Sequence, residues 1–147
     1  MKESTLKKVL QITSGHRRDD VRINKIINSL HKNGFQVSLL IADGLRDSSN
    51  HIKIYDIGKP KNRLIRFLIS PIKILYKAIF IKINTVHFHD PELIIIATIL
   101  KLFFRRKVIF DIHEDVSASI LQRSYVPRKI RKIISFTYRK LEIFTTK

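Results

Sequence analysis

The sequence predicts an α/β domain with a doubly wound, mainly parallel sheet, formed by residues 1–147 as one unit. Three observations carry this expectation. Short, almost continuously apolar runs alternate with longer segments whose apolar residues recur at helical spacing, as strands covered on both faces by helices require. Polar residues bearing Gly, His or Asp directly follow several of those runs, where strands of such a sheet end. The hydrophobic fraction of 44% and charged fraction of 28% suit one folded core, and only four Gly and four Pro exclude a low-complexity chain.

Lys7–Thr13 reads as a first strand, closed by Ser14-Gly15-His16. From Asp20 to Asn33, Val21, Ile23, Ile26, Ile27 and Leu30 form a helical stripe, with Asp19 or Asp20 as its cap and Gly34 as its stop. Val37–Ala42 is a buried strand, 43–50 a polar turn, and His51–Ile57 alternates as a strand with one covered face. After a polar break at 59–62 comes a long basic helical stretch, expected to be interrupted at Pro71. Thr85–His89 is a fourth strand, stopped by Asp90-Pro91, and Glu92–Phe104 an apolar helix. Lys107–Ile112 is a fifth strand, followed by His113-Glu114-Asp115. From about Arg128 a basic helix places Ile130, Ile133, Ile134, Tyr138, Leu141 and Phe144 on its apolar side. Right-handed crossovers give the strand order 3-2-1-4-5.

In such a sheet a ligand binds beyond the carboxyl ends of the strands where the winding reverses, here between strands one and four. The candidate binding residues are therefore Gly15, His16 and Arg17, then His89, Asp90 and Glu92, then His113, Glu114 and Asp115. His113 is the candidate catalytic residue, since a neutral imidazole at a strand end can polarise a hydroxyl or stabilise charge beside a phosphate. Glu114 or Asp115 either fixes its tautomer or caps the next helix. Asp90 either contacts a ligand or caps the helix beginning at Pro91, and the two roles are compatible. Gly15 lets backbone approach a ligand or serves as a turn glycine. His87 and His89 share one strand face and, with Asp90, His113, Glu114 and Asp115, invite a metal-site reading, but nothing in the spacing makes these ligands converge, so no metal and no cofactor are expected.

No Cys is present, which excludes disulfides, thiolate metal sites and a Cys nucleophile. The 29 basic and 12 acidic residues give a net charge of +17, an attraction for polyanions. Basic residues concentrate in 59–82 and 123–147 within helical apolar stripes, a pattern that favours an anionic membrane surface. Nucleic acid is disfavoured by the lack of a recognition helix or an aromatic stacking platform. With no secretory signal and no long uncharged apolar run, the expected location is cytoplasmic, peripheral at the inner membrane face.

Taken in order, several segments carry a family likeness. They are Val9-Leu10-Gln11-Ile12-Thr13-Ser14 with His16 and Asp20-x-Arg22-Ile23, and Gly34-Phe35-x-Val37-Ser38-Leu39 with Ala42-Asp43-Gly44. His87-Phe88-His89-Asp90-Pro91-Glu92-Leu93, Lys107-Val108-Ile109-Phe110-Asp111-Ile112-His113-Glu114-Asp115 and the segment from Pro127 to Glu142 follow. Together they resemble the amino-terminal, Rossmann-like domain of glycosyltransferase family 4 enzymes, particularly bacterial ones of surface-polysaccharide (lipopolysaccharide or capsule) assembly.

The resemblance implies a GT-B enzyme whose amino-terminal domain binds a glycan or lipid-linked acceptor. A carboxyl-terminal domain or partner subunit binds the nucleotide-sugar donor, and catalysis needs no metal. It implies that His113 contacts the donor sugar, that Gly15 and His16 lie near the donor phosphates and acceptor, and that His89-Asp90 is acceptor-side. Asn24-Lys25-Ile26-Ile27 departs from the family pattern by losing an acidic residue. The donor domain has no counterpart up to Lys147, so the chain alone is expected to lack complete transfer activity. The alternative is a basic anion-binding module, for nucleic acid or anionic membrane, without catalysis.

Overall fold

The computed structural model describes residues 7–49, 51–111, 115–122 and 127–146, with the side chain of Lys129 outside that description. Five parallel strands stand in the order β3-β2-β1-β4-β5, as the alternating pattern predicts. They are β1 (Lys8–Ile12), β2 (Gln36–Ile41), β3 (Lys53–Asp56), β4 (Thr85–Phe88) and β5 (Lys107–Phe110). The register pairs Ile12 with Leu40 and Phe88, and Phe88 with Phe110, so the strands end along one edge.

The helices are α1 (Val21–Lys32), α2 (Arg63–Phe80), α3 (Ile94–Phe104), α4 (Val116–Gln122) and α5 (Arg128–Thr146). Strand alternation splits the core in two. Leu10, Ile12, Val86 and Phe88 pack with Ile74 and Ala78 of α2 and Ala97 and Leu100 of α3. Val37, Leu39 and Ile41 meet Ile23 and Ile27 of α1 on the other face. Fully burying such side chains contributes about 1.5–3 kcal/mol each.

α1 begins where expected, with the Asp20 carboxylate accepting from the backbone N–H groups of Arg22 and Ile23. It ends at Asn33, and Gly34 adopts φ +78°, a left-handed conformation that costs glycine little. Asn62 caps α2 in the same way, accepting from Ile65 N–H.

Three expectations need correction. α2 is not interrupted: Pro71 lies inside a continuous helix and is buried with Ser70, Ile74 and Ala78. Packing of this face against the sheet outweighs the loss of one helical hydrogen bond. The apolar helix after β4 starts with a 3₁₀ turn, Pro91–Leu93, before α3. The expected apolar side of α5 is largely exposed at Ile130, Ile133, Ile134 and Phe144, and of that set Tyr138 is buried. α5 instead buries Ser135 and Thr145, the latter through a 2.8 Å hydroxyl contact with Thr98 of α3. Among the described residues no helix is long and apolar enough to cross a membrane.

Candidate functional site

The carboxyl ends of β1 and β4 meet in a single hydrogen-bonded assembly, centred on Asp90. Its Oδ2 accepts from the Thr13 hydroxyl at 2.6 Å and the Ser14 backbone N–H at 2.7 Å. The Gly15 N–H reaches the same oxygen at 3.3 Å, while Oδ1 stands 3.1 Å from His16 Nδ1. The Asp90 side chain makes no cap bond to the turn that follows it. Its carboxylate is spent on the loop after β1 rather than on capping.

Burial pushes the Asp90 carboxyl up, but the His16, Thr13 and Ser14 hydrogen bonds outweigh it and hold it below the usual carboxylate range. The same Asp90 contact raises His16 above the ordinary imidazole value, against a smaller opposing effect of burial. His16 Nε2 lies 3.1 Å from Arg22 Nη2, so the ring is held from both sides. Thr13 also accepts from the His16 backbone N–H at 3.1 Å, closing the loop on itself.

Glu92 belongs to the same assembly. Its Oε1 accepts from the Ser14 hydroxyl at 2.9 Å and pairs with Arg66 Nε of α2 at 3.0 Å. A Cβ on Gly15 would stand 2.9 Å from Asp90 Oδ1 and 3.3 Å from Arg66 Nη1. Gly15 is therefore required by close approach rather than by a left-handed backbone. Arg18 adds a second brace, with its guanidinium donating to both Asp43 oxygens at 2.6 and 2.7 Å past the end of β2.

A cleft of about 530 Å³ opens over this assembly, lined on one side by Ser14–Asp19 and on the other by Lys59, Asn62, Arg63 and Arg66. A similar cleft of about 550 Å³ at the amino ends of the strands, beside Lys8, Gln36 and Lys53, is lined by none of the candidate binding residues. The cleft at the carboxyl ends is the candidate site because the braced polar groups converge on it.

The other sequence candidates divide. Arg17 lines the cleft but is exposed and pairs with its own neighbour Asp19 at 3.0 Å. Asp115 caps α4, accepting from Ser117 Oγ at 2.6 Å and Ala118 N–H at 2.9 Å. These bonds lower its pKa, and they give it the capping role. His113 and Glu114 lie outside the described residues.

His89 is buried under the loop rather than opening to the cleft. Its Nε2 is 2.6 Å from Gln11 Oε1 and its Nδ1 3.4 Å from Asp111 Oδ2. Burial, reinforced by the neighbouring His87, pushes its pKa down to about 4. His87, His89 and Asp111 bring one ligand atom each within 4.8 Å of one another, so these three could share a cation. The partner of the two histidines is thus Asp111, not Asp90.

Sequence reasoning missed Thr13 and Ser14 as bracing groups, although two hydroxyls at a strand end were the available signal. Arg66 carried none, because it reaches the site from the first turns of α2. No protein-family model matches the sequence, and no curated protein matches it.

Proposed function

We propose that this domain is the acceptor-binding, amino-terminal part of a glycosyltransferase. It positions a glycan or lipid-linked acceptor, in cell-surface polysaccharide synthesis, beside a nucleotide-sugar donor held by a second domain or subunit. One observation supports this best. Two of the segments that carry the family likeness, around Ser14–His16 and His89–Glu92, lock together at a cleft through pairs 74 to 76 residues apart. In this reading the cleft receives the acceptor and His16 orients a hydroxyl of it. The family likeness assigns the donor-sugar contact to His113. Holding the acceptor in a reactive geometry is the contribution such a domain makes to rate.

The test combines the chain with a separately produced nucleotide-sugar-binding domain and a panel of UDP-, GDP- and dTDP-linked sugars. Transfer of radiolabel into glycan or lipid acceptors is expected. His16→Ala should lower it by about tenfold or more without changing donor affinity. Absence of transfer with every candidate partner removes the proposal.

A second reading, a basic anion-binding module without catalysis, is favoured by the charge distribution. Residues 57–89 contain seven Lys or Arg and no Asp or Glu. Salt-sensitive binding of a single-stranded oligonucleotide, at an affinity matching that for vesicles, would favour its nucleic-acid form.

A further inference from the structure

α2 presents two apolar faces. One is the buried face that packs against the sheet. The other points outward and is also apolar. Leu64, Leu68, Ile72, Tyr76 and Phe80 are each 66–71 % exposed, along a row of successive four-residue steps. Each such step advances about 40° around a helix, so the row forms a strip that winds slowly along its length. A soluble surface rarely leaves so continuous a strip uncovered.

The charge around the strip is of one sign. Two of the seven cations in 57–89 are neutralised, Arg66 by Glu92 and Lys77 by Asp47. Lys59 and Lys61 precede the helix, Arg63 begins it, Lys73 flanks it and Lys82 follows it. None of these five forms an ion pair among the described residues. An apolar strip bordered by unpaired cations, on a segment that itself carries no carboxylate, matches the boundary between acyl chains and anionic headgroups. A second copy of the chain would bring the same uncompensated positive border against itself.

We propose that the outward face of α2 is a docking surface for an anionic lipid bilayer, with the helix lying in the plane of the interface. Leu64, Leu68, Ile72, Tyr76 and Phe80 enter the acyl boundary, while Lys61, Lys73 and Lys82 meet the headgroups. The same segment leads into the cleft, since Lys59, Asn62, Arg63 and Arg66 line it. Docking therefore brings the cleft close to the bilayer, where the polar head of a lipid-anchored acceptor sits. Only this last step rests on the proposed acceptor function.

The chain contains no Trp, so Tyr76→Trp installs a unique fluorescent reporter on the strip. Vesicles of phosphatidylcholine with about 30 mol % phosphatidylglycerol should float the full chain and shift that emission to the blue, unlike phosphatidylcholine alone. Leu68→Glu/Ile72→Glu, at exposed positions, should keep the thermal melt and lower the bound fraction by about tenfold or more. Lys73→Gln/Lys82→Gln should weaken binding to the anionic vesicles by about tenfold or more. Equal flotation on both vesicle types, or undiminished flotation of the Leu68→Glu/Ile72→Glu variant, overturns the proposal. So does a dimer in gel filtration that this variant dissociates, which assigns the strip to a second copy. Flotation is read without sugar transfer, so the docking surface and the transferase reading can fail separately.

Discussion

Gly15 and Asp90 are in contact across the seam between β1 and β4, with the Gly15 N–H 3.3 Å from Asp90 Oδ2. A methyl group on Gly15 would collide with the other carboxylate oxygen at 2.9 Å. That oxygen belongs to a buried side chain held by several donors and cannot swing away.

Gly15→Ala should therefore destabilise the domain by about 1–3 kcal/mol, the usual cost of overpacking. Urea unfolding of the variant against the parent chain measures this. A change below a few tenths of a kcal/mol would show that the loop gives way.

Asp90→Asn removes the charge opposite His16 while keeping the volume. The His16 pKa should fall back towards about 6.5, followed by its ring proton shifts in NMR titration. Stability should drop by about 2 kcal/mol or more, because a charged acceptor of several hydrogen bonds is lost. An unmoved His16 titration would mean that Arg22, not Asp90, governs the ring.

The pH dependence has a defined sign. His89 is depressed to about 4 in the folded domain. Between pH 6.5 and about 4 the unfolded chain takes a proton that folded His89 refuses, so stability falls through that window by about 3 kcal/mol. His16 is raised, so its contribution is complete below pH 6.5 and is lost as pH rises through its folded value. Denaturant midpoints from pH 4 to 8 test both, and His89→Gln should flatten the acid limb alone.

Asp20→Ala should cost about 1 kcal/mol by leaving the Arg22 and Ile23 amides without their cap. Helical signal lost before the main transition would locate the effect in α1. An unchanged midpoint would show that water replaces the cap.

The strand order was legible because each strand is a short apolar run and the crossovers have one hand. The place of the candidate cleft, at the carboxyl ends of β1 and β4, followed from that order. Asp90's partners were not legible, since pairing with Ser14 and Gly15 depends on parallel register between segments far apart in sequence. Pro71 misled because the local rule for helices omits the tertiary packing that holds α2 together. In α5 helical spacing was read correctly, but spacing alone does not say which side a neighbour covers. His89 was expected at the cleft; the sheet buries it against Gln11 instead.

The amides at the start of this fold's first loop have already received an anion, and it belongs to the protein. Ser14 and Gly15 donate to Asp90, and Arg22 and Ile23 to Asp20. A phosphate entering the cleft therefore finds the backbone cradle occupied from within, and meets Lys59 and Arg63 instead. Recognition by long, hydrated side chains tolerates many anion shapes and weakens steeply with ionic strength. For the anionic ligand of the proposed function, fine discrimination then falls to the uncharged part of the ligand.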